Sequence, residues 1–263
     1  MSGHWTEKLF IEKPEYFKRT IKERFKKTDS EIDGLIKLFT EYGVTKGSRI
    51  LDLACGIGRV AVPLAQHDYN VVGLDISPDY IQHAKKYAQE KQVEHQTRFI
   101  EGDMRKVSTE LKNQTASFDA VINIWTSMGY WDEETDENIL RQSLALTRPS
   151  GVFIMHTVNK DNLLRRFQAR DFSDEDDLVR LMDRKLDLET SRMINYWTYY
   201  YRENNGDLKL LEKMEINHRV YSLNELKKQF QDAGWSYKKS YGGFTLDPLT
   251  MDTFSMIIVA EKP

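Results

Sequence analysis

From Ile50 to Thr157 short apolar runs alternate with polar segments of about 10–15 residues, the order expected when buried strands are joined by surface helices. The runs Arg49–Leu53, Asn70–Leu74, Thr97–Glu101, Ala120–Ile124 and Val152–Thr157 are nearly continuous in apolar residues, which suits parallel strands covered on both faces. Ser77-Pro78 places an N-cap before a proline at the first helical position, so a helix is predicted over Asp79–Glu90. Asp132 to Thr147 predicts another, stopped by Arg148-Pro149-Ser150-Gly151. Residues 12–43 predict two helices over the edge of the sheet. Residues 160–185 are charged and predict helix, with the acidic run 174–177 as a solvated loop. Residues 186–220 alternate in the manner of strands around Asn195-Tyr196-Trp197-Thr198-Tyr199-Tyr200-Tyr201. Ser222-Leu223-Asn224-Glu225 is a capping box opening a helix that ends at Asp232-Ala233-Gly234, and strands follow at Trp235–Tyr241 and Phe254–Glu261.

The predicted fold is therefore α/β: a doubly wound, Rossmann-like, mostly parallel seven-stranded sheet with an antiparallel β insertion before the last helix. Residues 1–45 are expected to form an N-terminal helical cap, 46–158 with 221–263 the Rossmann-like unit, and 159–220 an inserted helix with antiparallel strands. Composition narrows the classes of function. Of 263 residues 40% are hydrophobic, enough for a core, and net charge is −3, so no bulk charge favours nucleic acid or an anionic membrane. The basic stretch Lys18–Lys27 fits a solvated amphipathic helix. A single cysteine, Cys55, excludes an intrachain disulfide, and no apolar run approaches a membrane span. A cytoplasmic location without membrane or nucleic-acid partners is the expectation.

The chemistry concentrates at predicted strand ends. In Ile50-Leu51-Asp52-Leu53-Ala54-Cys55-Gly56-Ile57-Gly58-Arg59, Gly56 and Gly58 let the backbone bend and approach a ligand, and the helix starting near Arg59 aims free N–H groups at a carboxylate. Asp52 offers an acceptor for an ammonium, so the loop suits an amino-acid zwitterion such as the methionine part of S-adenosylmethionine. Gly56-x-Gly58-x-x-Ala61 also satisfies the dinucleotide fingerprint, although a pyrophosphate would be repelled by Asp52. Asp75 ends the second strand where a carboxylate takes ribose hydroxyls, followed by Ile76. Gly102-Asp103-Met104 ends the third, with Asp103 as an acceptor for the adenine amine and Met104 for the ring face. Asn123 and Trp125 reach the same edge from the fourth. Each feature alone also fits ordinary turn chemistry; their common register at successive strand ends does not.

These stretches, in this order and spacing, resemble the class I S-adenosylmethionine-dependent methyltransferases. The likeness extends to Asn123-Ile124-Trp125-Thr126-Ser127-Met128-Gly129-Tyr130, to Asn159–Phe167 and to Val220–Leu226 with Ala233-Gly234-Trp235, so it covers almost the whole chain. It implies S-adenosylmethionine as cofactor, S-adenosylhomocysteine as product, and a cofactor set of Asp52, Ala54, Cys55, Gly56, Gly58, Arg59, Asp75, Ile76, Gly102, Asp103, Met104, Asn123 and Trp125. Cys55 departs mildly from the small residue or glycine frequent at that position.

Methyl transfer to an amine asks for alignment and dryness, and to a hydroxyl for a base as well. Tyr130 and His156 are the candidate catalytic groups, although a histidine satisfied in the core fits His156 better. Trp5, Tyr16, Thr126, Ser127, Tyr130 and Trp197 are candidates for substrate binding, with Trp5, Phe10, Tyr16 and Phe17 as a lid or as the apolar face of a packing helix. The aromatic strand 196–201 predicts a substrate wall or a homodimer contact through the inserted strands. No residue spacing suggests a metal. The expected reaction is methyl transfer to a small-molecule N or O nucleophile; a non-catalytic module binding the same cofactor and a nicotinamide-dependent oxidoreductase are the alternatives.

Overall fold

The apolar runs find partners on both sides. In the computed structural model, which describes residues 3–175 and 177–263, β1 (Arg49–Leu53), β2 (Asn70–Asp75), β3 (Thr97–Glu101), β4 (Phe118–Ile124) and β5 (Thr147–Val158) run parallel. Between them lie α4 (Ala61–Gln66), α5 (Pro78–Glu90), α6 (Val107–Glu110) and α7 (Glu133–Leu146); ahead of them lie α1 (Trp5–Glu7), a π-turn (Lys8–Glu12), α2 (Pro14–Arg24) and α3 (Thr28–Glu41). After β5 come α8 (Lys160–Arg165), the strands β6 (Arg170–Glu175), β7 (Leu178–Asp187), β8 (Arg192–Arg202) and β9 (Leu208–Arg219), then α9 (Leu223–Asp232), β10 (Ser236–Tyr241) and β11 (Ser255–Glu261).

The main sheet has seven strands in the order β10-β11-β5-β4-β1-β2-β3, with β11 antiparallel to both neighbours. The chain winds outward from β1 through β3, then returns to lay β4 on the other side of β1. That reversal opens a crevice at the carboxyl ends of β1 and β4, where ligands bind in open α/β sheets. The predicted caps form: Ser77 Oγ accepts from Tyr80 N, and Ser222 with Glu225 closes a reciprocal capping box.

Two expectations are corrected. Helix α3 covers a face of the sheet, not its edge: Ile32, Leu35, Leu38 and Phe39 pack on Ile50, Ile122, Ile154 and Ile257. A stripe that apolar, at about 1.5–3 kcal/mol for each buried side chain, needs a face to cover it. The helix predicted across 160–185 stops at Arg165, and the chain turns into β6 and β7 of a four-stranded antiparallel sheet, β6-β7-β8-β9. The acidic run is accordingly divided. Asp174 and Glu175 end β6, Asp177 follows it, and Asp176 lies outside the described residues.

The second sheet presents one face to the N-terminal helices. Leu178, Tyr199, Met214 and Ile216 join Leu9, Phe10, Ile21, Ile57 and Tyr80 in one core, with Trp5, Tyr16, Phe17, Trp125, Tyr130 and Trp197 packed around it. This aromatic layer roofs the crevice. Among the described residues no helix is long and apolar enough to cross a membrane.

Candidate functional site

At the crevice lies a cavity, the concave kind of place in which small-molecule sites are found. Its floor comes from the strand ends and its roof from Thr6, Phe10, Phe17 and Ile21 of the N-terminal segment. Asp52, Ala54, Cys55, Gly56, Arg59, Asp75, Ile76, Gly102, Asp103, Met104, Trp125, Ser127 and Tyr130 all line it. The predicted donor and acceptor residues are thus largely brought together in one chamber.

The loop after β1 is shaped by its backbone. Ala54 and Gly56 have φ of 58° and 56°, and Gly56 N–H donates to Asp75 Oδ2 at 2.8 Å. Asp75 Oδ1 takes the N–H of Ser77 at 2.9 Å. These bonds fix the carboxylate and leave each oxygen a further lone pair for a ligand hydroxyl. Gly58 (φ 79°) lies outside the lining; a Cβ there would press on Ala84 and Val62, so it serves the approach of α4 to α5.

Two carboxyls are buried here, and among the described residues no basic side chain forms an ion pair with either. Asp52 is 2% exposed, and its Oδ2 has no hydrogen-bond partner. Burial pushes its pKa up to about 8, against the pull of Arg59 and with a further push from Asp75. Burial likewise raises Asp75 to about 6, against the backbone N–H groups that favour its ionised form. Arg59 does not turn to either acid: its guanidinium pairs with Glu31 at 2.5 Å and donates to Thr28 Oγ1 at 3.2 Å. Arg24 holds the other oxygen of Glu31 at 2.6 Å and lies over the Trp125 ring at 5.5 Å. An unpartnered buried acceptor beside a second acid fits a ligand with an ammonium, a sulfonium and ribose hydroxyls. It does not fit a pyrophosphate, which would bring two more negative charges.

Asp103 accepts from the side chain of Arg105, whose Nε is 2.8 Å and Nη2 2.6 Å from Oδ2. Met104 is buried beside it. Arg105 in turn lies over Trp131 at 4.8 Å. Asn123 is buried outside the lining and donates to Leu53 O at 2.9 Å, tying β4 to β1, while its Oδ1 has no partner.

The turn after β4 is held in an uncommon form. Trp125 and Thr126 have φ of 74° and 60° although neither is glycine, a strain that tends to persist where a site requires it. Three bonds hold the turn. Thr126 N donates to His156 O at 3.2 Å, Gly129 N donates to the buried carboxyl of Asp136 at 2.9 Å, and Tyr221 Oη donates to that carboxyl at 2.6 Å. Gly129 (φ 93°) must lack a side chain, because a Cβ would overlap the carbonyl of Arg219.

Other candidates lie behind this wall. Trp5 donates to Asn217 O at 2.9 Å and meets Tyr130 edge-on at 4.8 Å. Tyr16 packs on Tyr199 at 4.6 Å, and Trp197 lies behind Phe17 at 6.1 Å. Thr126 points its hydroxyl back to the Trp125 carbonyl at 2.8 Å. His156 is buried against Phe244 at 4.7 Å, outside the cavity lining, and burial with Arg24 and Arg59 lowers its pKa to about 3. Burial raises the Tyr130 phenol above its ordinary range.

Thr6, Ile21, Val60 and Tyr80 also line the chamber, and Arg24 and Glu31 brace it; all but one of them lack a sequence signal. Tyr80 alone had a usable clue, in the first turn of the helix after Asp75.

Residues 50–151 match a family model described as a methyltransferase domain. The chain is 26% identical over 227 residues to the methyltransferase-like protein YqeM of Bacillus subtilis (strain 168), covering 84% of this chain and 87% of that one. Among solved structures it is similar to an S-adenosylmethionine-dependent methyltransferase from Clostridium acetobutylicum ATCC 824, with a TM-score of 0.76, 16% identity, and coverage of 89% of this chain and 91% of that one. It is also similar to the CcbJ methyltransferase from Streptomyces caelestis, with a TM-score of 0.74, 19% identity, and coverage of 88% and 90%.

Proposed function

We propose that this chain is a class I S-adenosylmethionine-dependent methyltransferase, and that it moves the methyl group to a small-molecule acceptor enclosed beneath its N-terminal helices. The observation that carries this reading is the single roofed chamber, in which two cation-seeking carboxyls and an aromatic wall face the same space.

Asp52 would hold the ammonium of the methionine part, and Asp75 the ribose hydroxyls. Asp103 and Met104 would hold the adenine edge and face, with Asp103 sharing its charge between the ligand and Arg105. Gly56, Ala54 and Cys55 give the backbone its close approach. When bound, the cofactor supplies an electrophilic methyl on a sulfonium. The chain's own contribution is to align the acceptor and exclude water, which in favourable intramolecular cases accounts for about 7–11 kcal/mol of a barrier. Trp125, Ser127 and Tyr130 would set the acceptor's angle, and Phe10 and Phe17 would close the chamber over it.

An amine entering in its neutral form needs no base for the attack, and its extra proton is lost afterwards. That suits a wall whose phenol resists ionisation, while the buried imidazole of His156 lies outside the cavity lining and binds protons weakly. A hydroxyl acceptor would have to arrive already acidic. Labelled methyl transfer from S-adenosylmethionine to a panel of amines and phenols tests the reading. Transfer to small amines is expected, and cofactor binding with no transfer to any member would overturn it.

A further inference from the structure

Arg180 stands out among the arginines of the inserted sheet. It is 9% exposed, on the face of β7 turned toward α2, yet no carboxylate of the described residues pairs with it. Its neighbours are otherwise served: Arg184 pairs with Asp171 at 3.0 Å, Arg202 with Asp174, and Arg219 with Glu225 at 2.9 Å. Arg180 Nη1 has only the Thr20 hydroxyl, at 3.2 Å, and Nε has no partner. The guanidinium lies over Trp197 at 4.7 Å and opposite Tyr199 in the strand register. Trp197 Nε1 is also buried without a hydrogen-bond partner, and the Tyr199 hydroxyl has nothing to meet but the Arg180 guanidinium.

One residue therefore carries an unpaired buried charge, and two beside it carry unpaired polar hydrogens. Burying such groups without partners is costly, most of all for a charge. Buried groups in this condition call for a physical reason, and a bound ion is one that would serve all three at once. The place is also suggestive. Phe17 stacks on Trp197 at 6.1 Å and on Trp125 at 5.6 Å, and Phe17 and Trp125 both line the cavity. Two rings stand between the guanidinium and the methyl-transfer chamber, Trp197 and then Phe17, and the second sits on α2 together with Thr20.

We propose that Arg180, Trp197 and Tyr199 form an oxyanion subsite, so that the methyl acceptor carries a carboxylate or phosphate seated on Arg180 while its nucleophile reaches into the chamber. The planar fork of a guanidinium matches either group through two N–H donors. Phe17 must swing aside for the acceptor to span both places. This assignment rests on the methyltransferase reading for the nature of the ligand, but the subsite can be tested separately.

The full chain, loaded with S-adenosylhomocysteine, is titrated with inorganic phosphate and with acetate at constant ionic strength, and tryptophan fluorescence is followed. Saturable binding of at least one ion is expected, weakened about tenfold in Arg180→Gln, with S-adenosylhomocysteine affinity unchanged. The stronger ion identifies the acceptor's group as phosphoryl or carboxyl. Arg180→Lys, which keeps the charge and loses the fork, should bind about threefold more weakly than the wild type, and it supplies the test if the Gln variant does not fold. No saturable binding to the wild type, or equal binding to the variants, overturns the subsite. Failure of the wild type to bind S-adenosylhomocysteine would instead overturn the donor reading, while the ion titration of the unloaded chain still reports on Arg180.

Discussion

Replacing Asp52 by Asn should make the empty protein more stable and a poorer binder of the cofactor. The side chain is buried, its Oδ2 accepts nothing from the protein, and its pKa is pushed up to about 8 from an ordinary 3.8. The native state therefore holds this proton more tightly than the unfolded chain does. The stability it contributes is present below about pH 4 and is lost as pH rises toward 8. At about 1.4 kcal/mol per unit, the loss is on the order of 5 kcal/mol once the group is fully ionised. An amide of the same shape has no charge to desolvate, so at pH 8.5 the unliganded variant should exceed the wild type by a few kcal/mol in urea denaturation. Binding should move the other way. A charge-assisted bond to the ligand ammonium is worth about 1.5–3 kcal/mol, so at pH 8.5 S-adenosylhomocysteine should bind the variant about 10–150-fold more weakly. At pH 6.5 the wild type must spend about 2 kcal/mol ionising Asp52, and the difference should nearly close. Calorimetry at both pH values reads this directly. An equal affinity at pH 8.5, or a variant less stable than the wild type there, would refute the assignment.

Tyr221→Phe removes the 2.6 Å bond to buried Asp136 and should cost about 1–3 kcal/mol in denaturant unfolding, with slower methyl transfer because the Trp125–Tyr130 turn loosens. Gly129→Ala should be worse, since its Cβ meets the Arg219 carbonyl; a melting temperature equal to that of the wild type would contradict this. His156→Gln should leave the pH–rate profile between pH 6 and 9 unchanged, because the neutral imidazole lies outside the chamber; loss of a limb of that profile would restore it as a base.

The parallel sheet was legible because strands buried on two faces write their burial as unbroken apolar runs, and because Ser77-Pro78 and the Ser222–Glu225 box state helix starts in local chemistry. The donor loop was legible for a similar reason: its glycines and acids lie within a few residues of strand ends. Strands β6 and β7 were not. Their inward face carries Arg180 and Arg184 while Val179 and Leu181 lie on the other, so polar and apolar positions do not sort by period two into inside and outside. The Arg24–Glu31–Arg59 cluster joins three separate elements, and no spacing along the chain announces it. Arg59 was expected near the ligand, and it does line the chamber, but its charge is committed to Glu31.

The most direct test of the donor site is calorimetric titration of S-adenosylhomocysteine into the wild-type chain and into Asp75→Ala, with NADH as competitor. One molecule per chain should bind, NADH should not displace it, and the variant should lose about 1–3 kcal/mol through the missing ribose bonds. Displacement by NADH, or an affinity untouched by the loss of Asp75, would contradict the account.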